Sequence, residues 1–170
     1  VSCGLLAKYL AERKRHKEAE RLFVAGLLHN IGELVIVSVY PNEAQRCTAY
    51  NARVKPAELQ AAICGFTYAD LSAALIKEWG IPEAVYKPLE TIHNTTEPAE
   101  GLDEQLIQLA YVLALDNVNP ELYPSYNNLK PHLHEVLGFE HEDLEDALDI
   151  TNLQCLSVIS LFNPGAFMLY

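Results

Sequence analysis

"FVAGLLHNIGEL", residues 23 to 34, decides how the chain is read. Phe23, Leu27, Leu28, Ile31 and Leu34, followed by Val35, recur at intervals of three and four, the period of one face of an α-helix. His29 lies inside that apolar stripe, so its ring is expected to face a protected interior. A lone buried histidine is more often a core residue bonded to a carbonyl or carboxylate than a ligand.

The same helical period runs outward from this stretch. Leu5, Leu6, Tyr9 and Leu10 repeat it, and Pro41, Pro56, Gly65, "GIP" at 80 to 82 and "NP" at 119 to 120 punctuate it as helix stops or first-turn prolines. "ELVIVSVY" (33 to 40) is rich in β-branched residues, yet it continues the stripe from Phe23 without a breaker. It is expected to be the end of one long buried helix. The tail pairs acid-rich "GFEHEDLEDALD" with "LQCLSVISLF", which predicts a solvated helix followed by a buried one. The fold class expected is all-α, a helical bundle.

Composition narrows the functional classes. Half of the 170 residues are apolar, enough for a substantial core without disulfides or metals. Twenty-three Asp and Glu against twelve Lys and Arg give a formal charge of -11, which repels phosphate backbones and anionic lipid. Neither nucleic acid nor a membrane surface is therefore an expected partner. Cys3, Cys47, Cys64 and Cys155 form no CxxC pair and sit among apolar neighbours, which suggests a reducing cytoplasm. No apolar run is expected to reach the roughly 18 residues of a membrane span, and no leader is read at the start. The basic run "AERKRHKEAER" (11 to 21) reads as a solvated helix end and turn. His132, His134 and His141 do not share one helical face and are expected at the surface. There is no nucleophile elbow, glycine-rich phosphate loop or dinucleotide fingerprint, and no cofactor is expected.

Two stretches in the right order resemble the HD superfamily of metal-dependent phosphohydrolases, and more closely its HDOD branch, the HD-related output domain. The branch pattern runs approximately F-x-A-G-L-L-H-D-I-G-K-L, and "FVAGLLHNIGEL" departs from it at Asn30 and Glu33. The second stretch, "GFTYADLSAALIKEWGIPEAVYKPLETIHN" (65 to 94), is similar to a pattern with Gly, His-Ala-Glu-Val-Gly, a Trp before Leu-Pro, and a terminal His-His. Gly65, Ala69, Leu75, Trp79, Pro82 and His93 agree with it. Tyr68 stands where the pattern has a histidine, and Asn94 where it has the second of the paired histidines. "LIQLAYVLAL" (106 to 115) is similar to the last core helix. Tyr111 stands there at the position of the catalytic branch's aspartate, or Asp116 if the alignment shifts by a turn. On the first helix Val1 precedes Ser2, where the branch has a histidine.

The resemblance implies a bundle of HDOD type over roughly residues 1 to 115. It implies one domain over 1–170, with a core at 1–118 and a helical extension at 119–170, as the C-terminal part of a longer HDOD region. A hydrolytic metal centre needs several oxygen and nitrogen ligands, with carboxylates to offset the dication. His29, Asn30, Tyr68, His93 and Tyr111 are therefore vestigial positions, with no catalytic or metal role expected. The implied function is a non-catalytic, bacterial signal-transduction domain acting on a protein partner or an adjacent domain. A metal-dependent phosphohydrolase of nucleotides or cyclic dinucleotides is the alternative, and a nucleotide-like ligand held without turnover is a third reading. The packing expected is burial of Phe23, Leu27, Leu28, Ile31, Leu34 and Leu75, with Trp79 packed near the turn at Pro82.

Overall fold

Every regular element described is helical. The computed structural model describes residues 1–48, 56–93, 97–118 and 129–162. They form α1 (Ser2–Arg13), α2 (Ala19–Leu28), α3 (Ile31–Val39), α4 (Pro41–Thr48), α5 (Pro56–Cys64), α6 (Tyr68–Glu78) and α7 (Glu83–Tyr86). A 3₁₀ turn (Lys87–Thr91), α8 (Leu102–Val118), α9 (Leu129–Leu137) and α10 (His141–Phe162) follow. The expected all-α class is what the chain adopts.

Helix α1 lies against α2, α8 and α10, and α8 also meets α9 and the 3₁₀ turn. Leu6 and Leu10 of α1, Leu22 of α2, Ile76 of α6, and Leu106, Leu109 and Leu113 of α8 are fully buried in the main core. A smaller cluster forms on the other side of α3, where Ile36, Ala44, Cys47 and Tyr68 are buried together. α6 starts on a reciprocal cap. Thr67 Oγ1 accepts from the Asp70 amide, and Asp70 accepts from the Thr67 amide.

The long buried helix expected over residues 23 to 40 is broken. His29 and Asn30 form a turn between α2 and α3, with Asn30 at φ -113°, ψ 18°, outside the helical well. The inward face of α2 is Ala19, Leu22, Ala25 and Gly26. Leu27 is instead 40% exposed and Leu34 67% exposed, while Phe23, Leu28, Ile31 and Leu75 are only half-buried. The reason is how closely α1 and α2 approach. A Cβ on Gly26 would lie 2.6 Å from the Gly4 Cα. Small residues win that face because only they allow the backbones so near, although bulkier residues dominate the apolar pattern. On α3 only Gly32 and Ile36 are buried.

Other expectations are corrected as well. Trp79 is 53% exposed at the end of α6 rather than packed into the turn at Pro82. Residues 153 to 158 of the tail are not buried: α10 is one helix, inserting Leu144, Ala147 and Thr151 and leaving Leu153 and Leu156 outside. Residues 11 to 21 are more than a solvated turn. Asp103 of α8 accepts from Arg21 at 2.7 Å and meets His16 Nε2 at 2.8 Å, and Arg21 also donates to the Ala84 carbonyl at 2.5 Å. These contacts tie the α1–α2 turn to α8 and α7. Residues 19 to 39 taken together are long and apolar enough to cross a membrane by composition, contrary to expectation. In this fold Gly26 and Gly32 hold that segment against α1 and α6.

Leu22→Ala should cost about 2 to 5 kcal/mol in urea unfolding, because Leu22 is fully enclosed. Leu34→Ala should change stability by less than about 0.5 kcal/mol. Equal losses at the two positions would mean that the inward face of α2 and α3 is wrongly placed.

Candidate functional site

The site is built where the α2–α3 turn meets α8 and the end of the 3₁₀ turn. Backbone contacts fix the turn on both sides. Beyond Gly26, a Cβ on Gly32 would come within 2.4 Å of the Tyr68 carbonyl oxygen. The Gly32 amide donates to Ser72 Oγ at 2.9 Å, and that hydroxyl donates to the Tyr68 carbonyl at 2.8 Å. With α3 held so closely to α6, the positions of His29 and Asn30 follow.

His29 Nδ1 lies 2.6 Å from the Gly26 carbonyl, the partner a core histidine needs, and donates to it. Its ring stands edge-on to Tyr111 of α8, with centroids 5.7 Å apart. On the same phenol ring lies His93, at 5.1 Å. The structure thus brings His29, His93 and Tyr111 together. Gln108, one helical turn before Tyr111, is fully buried. Its side chain accepts from the Ala99 amide and donates to the Thr91 carbonyl, which fixes the chain just before His93. Nothing in the apolar pattern singles out Gln108, because a lone glutamine on a helix carries no signature.

The remaining positions go elsewhere. Asn30 Nδ2 donates to Glu33 within the first turn of α3. Tyr68 belongs to the smaller cluster, where its phenol is hydrogen-bonded to Cys47 and burial pushes it above its ordinary range. Asp116 is paired with Lys130 of α9 at 2.5 Å. Ser2 Oγ lies 3.3 Å from Cys155 Sγ, and Val1 is exposed at the head of α1. Asn94 lies outside the described residues. Of the three tail histidines, His132 and His141 are exposed as expected. His134 is half-buried, and its Nε2 is enclosed without a hydrogen-bond partner among the described residues.

Electrostatically the cluster is neutral. Burial, with a smaller contribution from His29, lowers the His93 pKa to about 4, and burial lowers that of His29 also. Asp70 is the carboxylate whose charge reaches His93, and one of its oxygens is already engaged by the Thr67 amide. His93 Nδ1 has no partner among the described residues. Two neutral imidazoles on a neutral phenol do not fit a hydrolytic dication, which needs carboxylate charge close by. No group of three or more His, Cys, Asp or Glu side chains converges for a metal among the described residues.

Comparison with known proteins bears on this geometry. The HDOD domain model matches residues 1–95, which hold both motifs and all of the site except α8. An uncharacterized protein of Treponema pallidum (strain Nichols) is 32% identical over 91 residues, which is 52% of this chain and 18% of that protein. The matched stretch thus spans less than a fifth of the relative. No solved structure matches.

The lowered pKa values fix the sign of a pH effect. His93 titrates near 6.5 when unfolded and near 4 when folded, so between these values the unfolded chain binds a proton that the folded chain refuses. Stability is full above pH 6.5 and falls as the pH drops toward 4, by on the order of 3 kcal/mol for His93. His29 acts in the same direction. Urea midpoints at pH 7.5 and pH 4.5 should differ much less in His93→Leu than in the native chain. An unchanged difference would place the responsible groups elsewhere.

Asn30→Asp should be destabilising by about 1 to 3 kcal/mol, because it removes the donor to Glu33 and sets two carboxylates side by side. The loss should shrink when the pH is lowered through the carboxylate range. A neutral or stabilising Asn30→Asp would contradict the Asn30–Glu33 contact.

Proposed function

The chain belongs to the HDOD family, and from that premise we propose that it is a non-catalytic regulatory domain, signalling by contact with a protein partner or an adjacent domain. The observation that carries this reading is the donor set around His29. Where a hydrolase would gather charged ligands, this chain has His29 bonded to a backbone carbonyl, Asn30 bonded to Glu33, Tyr68 turned into a separate cluster, and Tyr111 wedged between two imidazoles. Asn30 and Tyr111 stand where the resemblance implies aspartates, so both carboxylate charges are missing, and Tyr68 stands in place of a histidine. Asparagine nearly matches aspartate in shape but cannot balance a dication.

Contact is supported by the surface of the same elements. Val24 and Leu27 of α2, and Leu34, Val37 and Val39 of α3, are at least 40% exposed, so the helices that carry the motif present apolar side chains to the outside. Exposed apolar surface of this kind marks interaction sites. A bacterial cytoplasmic setting, with the described helices forming the C-terminal part of a larger HDOD region, completes the proposal. Its organisation would be a core over 1–118 with an extension over 119–170. The Nδ1 of His93, which has no partner among the described residues, favours the variant in which a nucleotide-like ligand is held there without turnover.

The test is hydrolysis. Protein loaded with manganese, then with zinc, should release no product from a chromogenic phosphodiester or from cyclic dinucleotides above the buffer rate. Asn30→Asp alone should not create activity, because the other ligands would still be missing. Metal-dependent turnover by the unmodified chain, abolished by His29→Ala, would establish the phosphohydrolase instead.

A further inference from the structure

The smaller cluster behind α3 contains chemistry that the regulatory reading does not use. Cys47 on α4 and Cys64 on α5, 17 positions apart, place their sulfur atoms 4.0 Å from each other. Both are free thiols, as are Cys3 and Cys155. A disulfide requires the sulfurs to come within about 2.05 Å, so its formation would draw α4 and α5 together through side-chain rotation and a shift between the helices.

We infer that Cys47 and Cys64 form a modification site, a dithiol that a hydroperoxide converts reversibly into a disulfide joining α4 to α5. The two thiols differ in access, and access assigns their order. Cys64 is partly exposed and lines an open cavity of about 280 Å³ with Ile36, Tyr40, Glu43, Ile63 and Phe66. Cys47 is buried, and its sulfur is hydrogen-bonded to the Tyr68 phenol. A small peroxide therefore meets Cys64 first.

The Cys64 thiolate attacks one peroxide oxygen, the oxygen–oxygen bond breaks, and the departing alkoxide or hydroxide takes a proton to leave as alcohol or water. Sulfur is oxidised to the sulfenic acid and the peroxide is reduced. The Cys47 thiolate then attacks the Cys64 sulfur and the sulfenic oxygen leaves as water with the remaining proton. In sum, two thiols and one hydroperoxide give one disulfide, one alcohol or water, and one further water. A thiol reductant reverses the change by exchange.

The other cysteines are not equivalent. Cys3 is enclosed in the main core and burial pushes its thiol up to about 12, while Cys155 faces Ser2 on the far end of the chain. Burial also raises the Cys64 thiol, so its oxidation is slow at neutral pH and accelerates on the order of tenfold per pH unit as the thiolate appears. The bond would brace α4 against α5 over Tyr68 and Ile36, the side of α3 opposite the histidines. Oxidation would thereby stiffen the support of the helix that carries the exposed apolar face.

The experiment treats the full chain with hydrogen peroxide, blocks the remaining thiols by alkylation, and maps peptides by mass with and without reductant. The expected result is a fall from four free thiols to two, a linked pair of peptides containing Cys47 and Cys64, lighter by two hydrogen atoms, and full recovery on reduction. Cys64→Ser should then leave Cys47 unoxidised under the same exposure. Sulfinic acid on Cys64 without a linked pair would overturn the proposal, and so would a bridge that involves Cys155 or Cys3. Mapping is done on the unmodified chain, so the conclusion does not depend on whether the serine variant folds.

Discussion

Two backbone contacts on either side of one turn govern the molecule. Gly26 lies against Gly4, and Gly32 against the Tyr68 carbonyl, so α2 and α3 are gripped by α1 and α6 just before and just after His29 and Asn30. Any side chain at either glycine would push a helix away. Helices that approach this closely gain dense packing along their whole length, which a larger residue at the crossing would forfeit. The grip explains why the segment from residue 19 to residue 39 can be so apolar and still expose Leu34 and Val37. What is buried there is mostly backbone and small side chains.

The turn so fixed aims His29 at α8, where Tyr111 separates it from His93. The three rings contact one another there, His29 edge-on to Tyr111 and His93 tilted against it. The hydrogen bond from His29 to Gly26 and the clasp of Gln108 on Thr91 and Ala99 make the arrangement part of the core. Lowered histidine pKa values follow from that burial. Near neutral pH both imidazoles are therefore held in the uncharged form.

The helical class was legible because it depends on local period, and His29 and His93 were singled out together only through the family resemblance. The burial of α2 was not. Period alone ranks Phe23, Leu27 and Leu34 above Ala25 and Gly26, whereas the glycine contact with α1, a property of two distant segments, reverses the order. The break at His29–Asn30 was hidden for a related reason: residues 23 to 40 keep a helical stripe on both sides of the turn, and asparagine is a weak breaker. Asp103 with His16 and Arg21, and Cys47 with Cys64 and Tyr68, are pairings across long stretches of chain that no single window contains.

In the proposed regulatory role the His29–Tyr111–His93 cluster is neutral core without affinity for a hydrolytic metal. NMR of the two imidazoles, followed while zinc is added at neutral pH, addresses it most directly. The account predicts ring signals of His29 and His93 that stay in place through a stoichiometric amount of zinc, with any shifts confined to exposed histidines such as His132 and His141. Saturable, simultaneous shifts of His29 and His93 at one equivalent would show that both rings ligate the ion, and would contradict the claim.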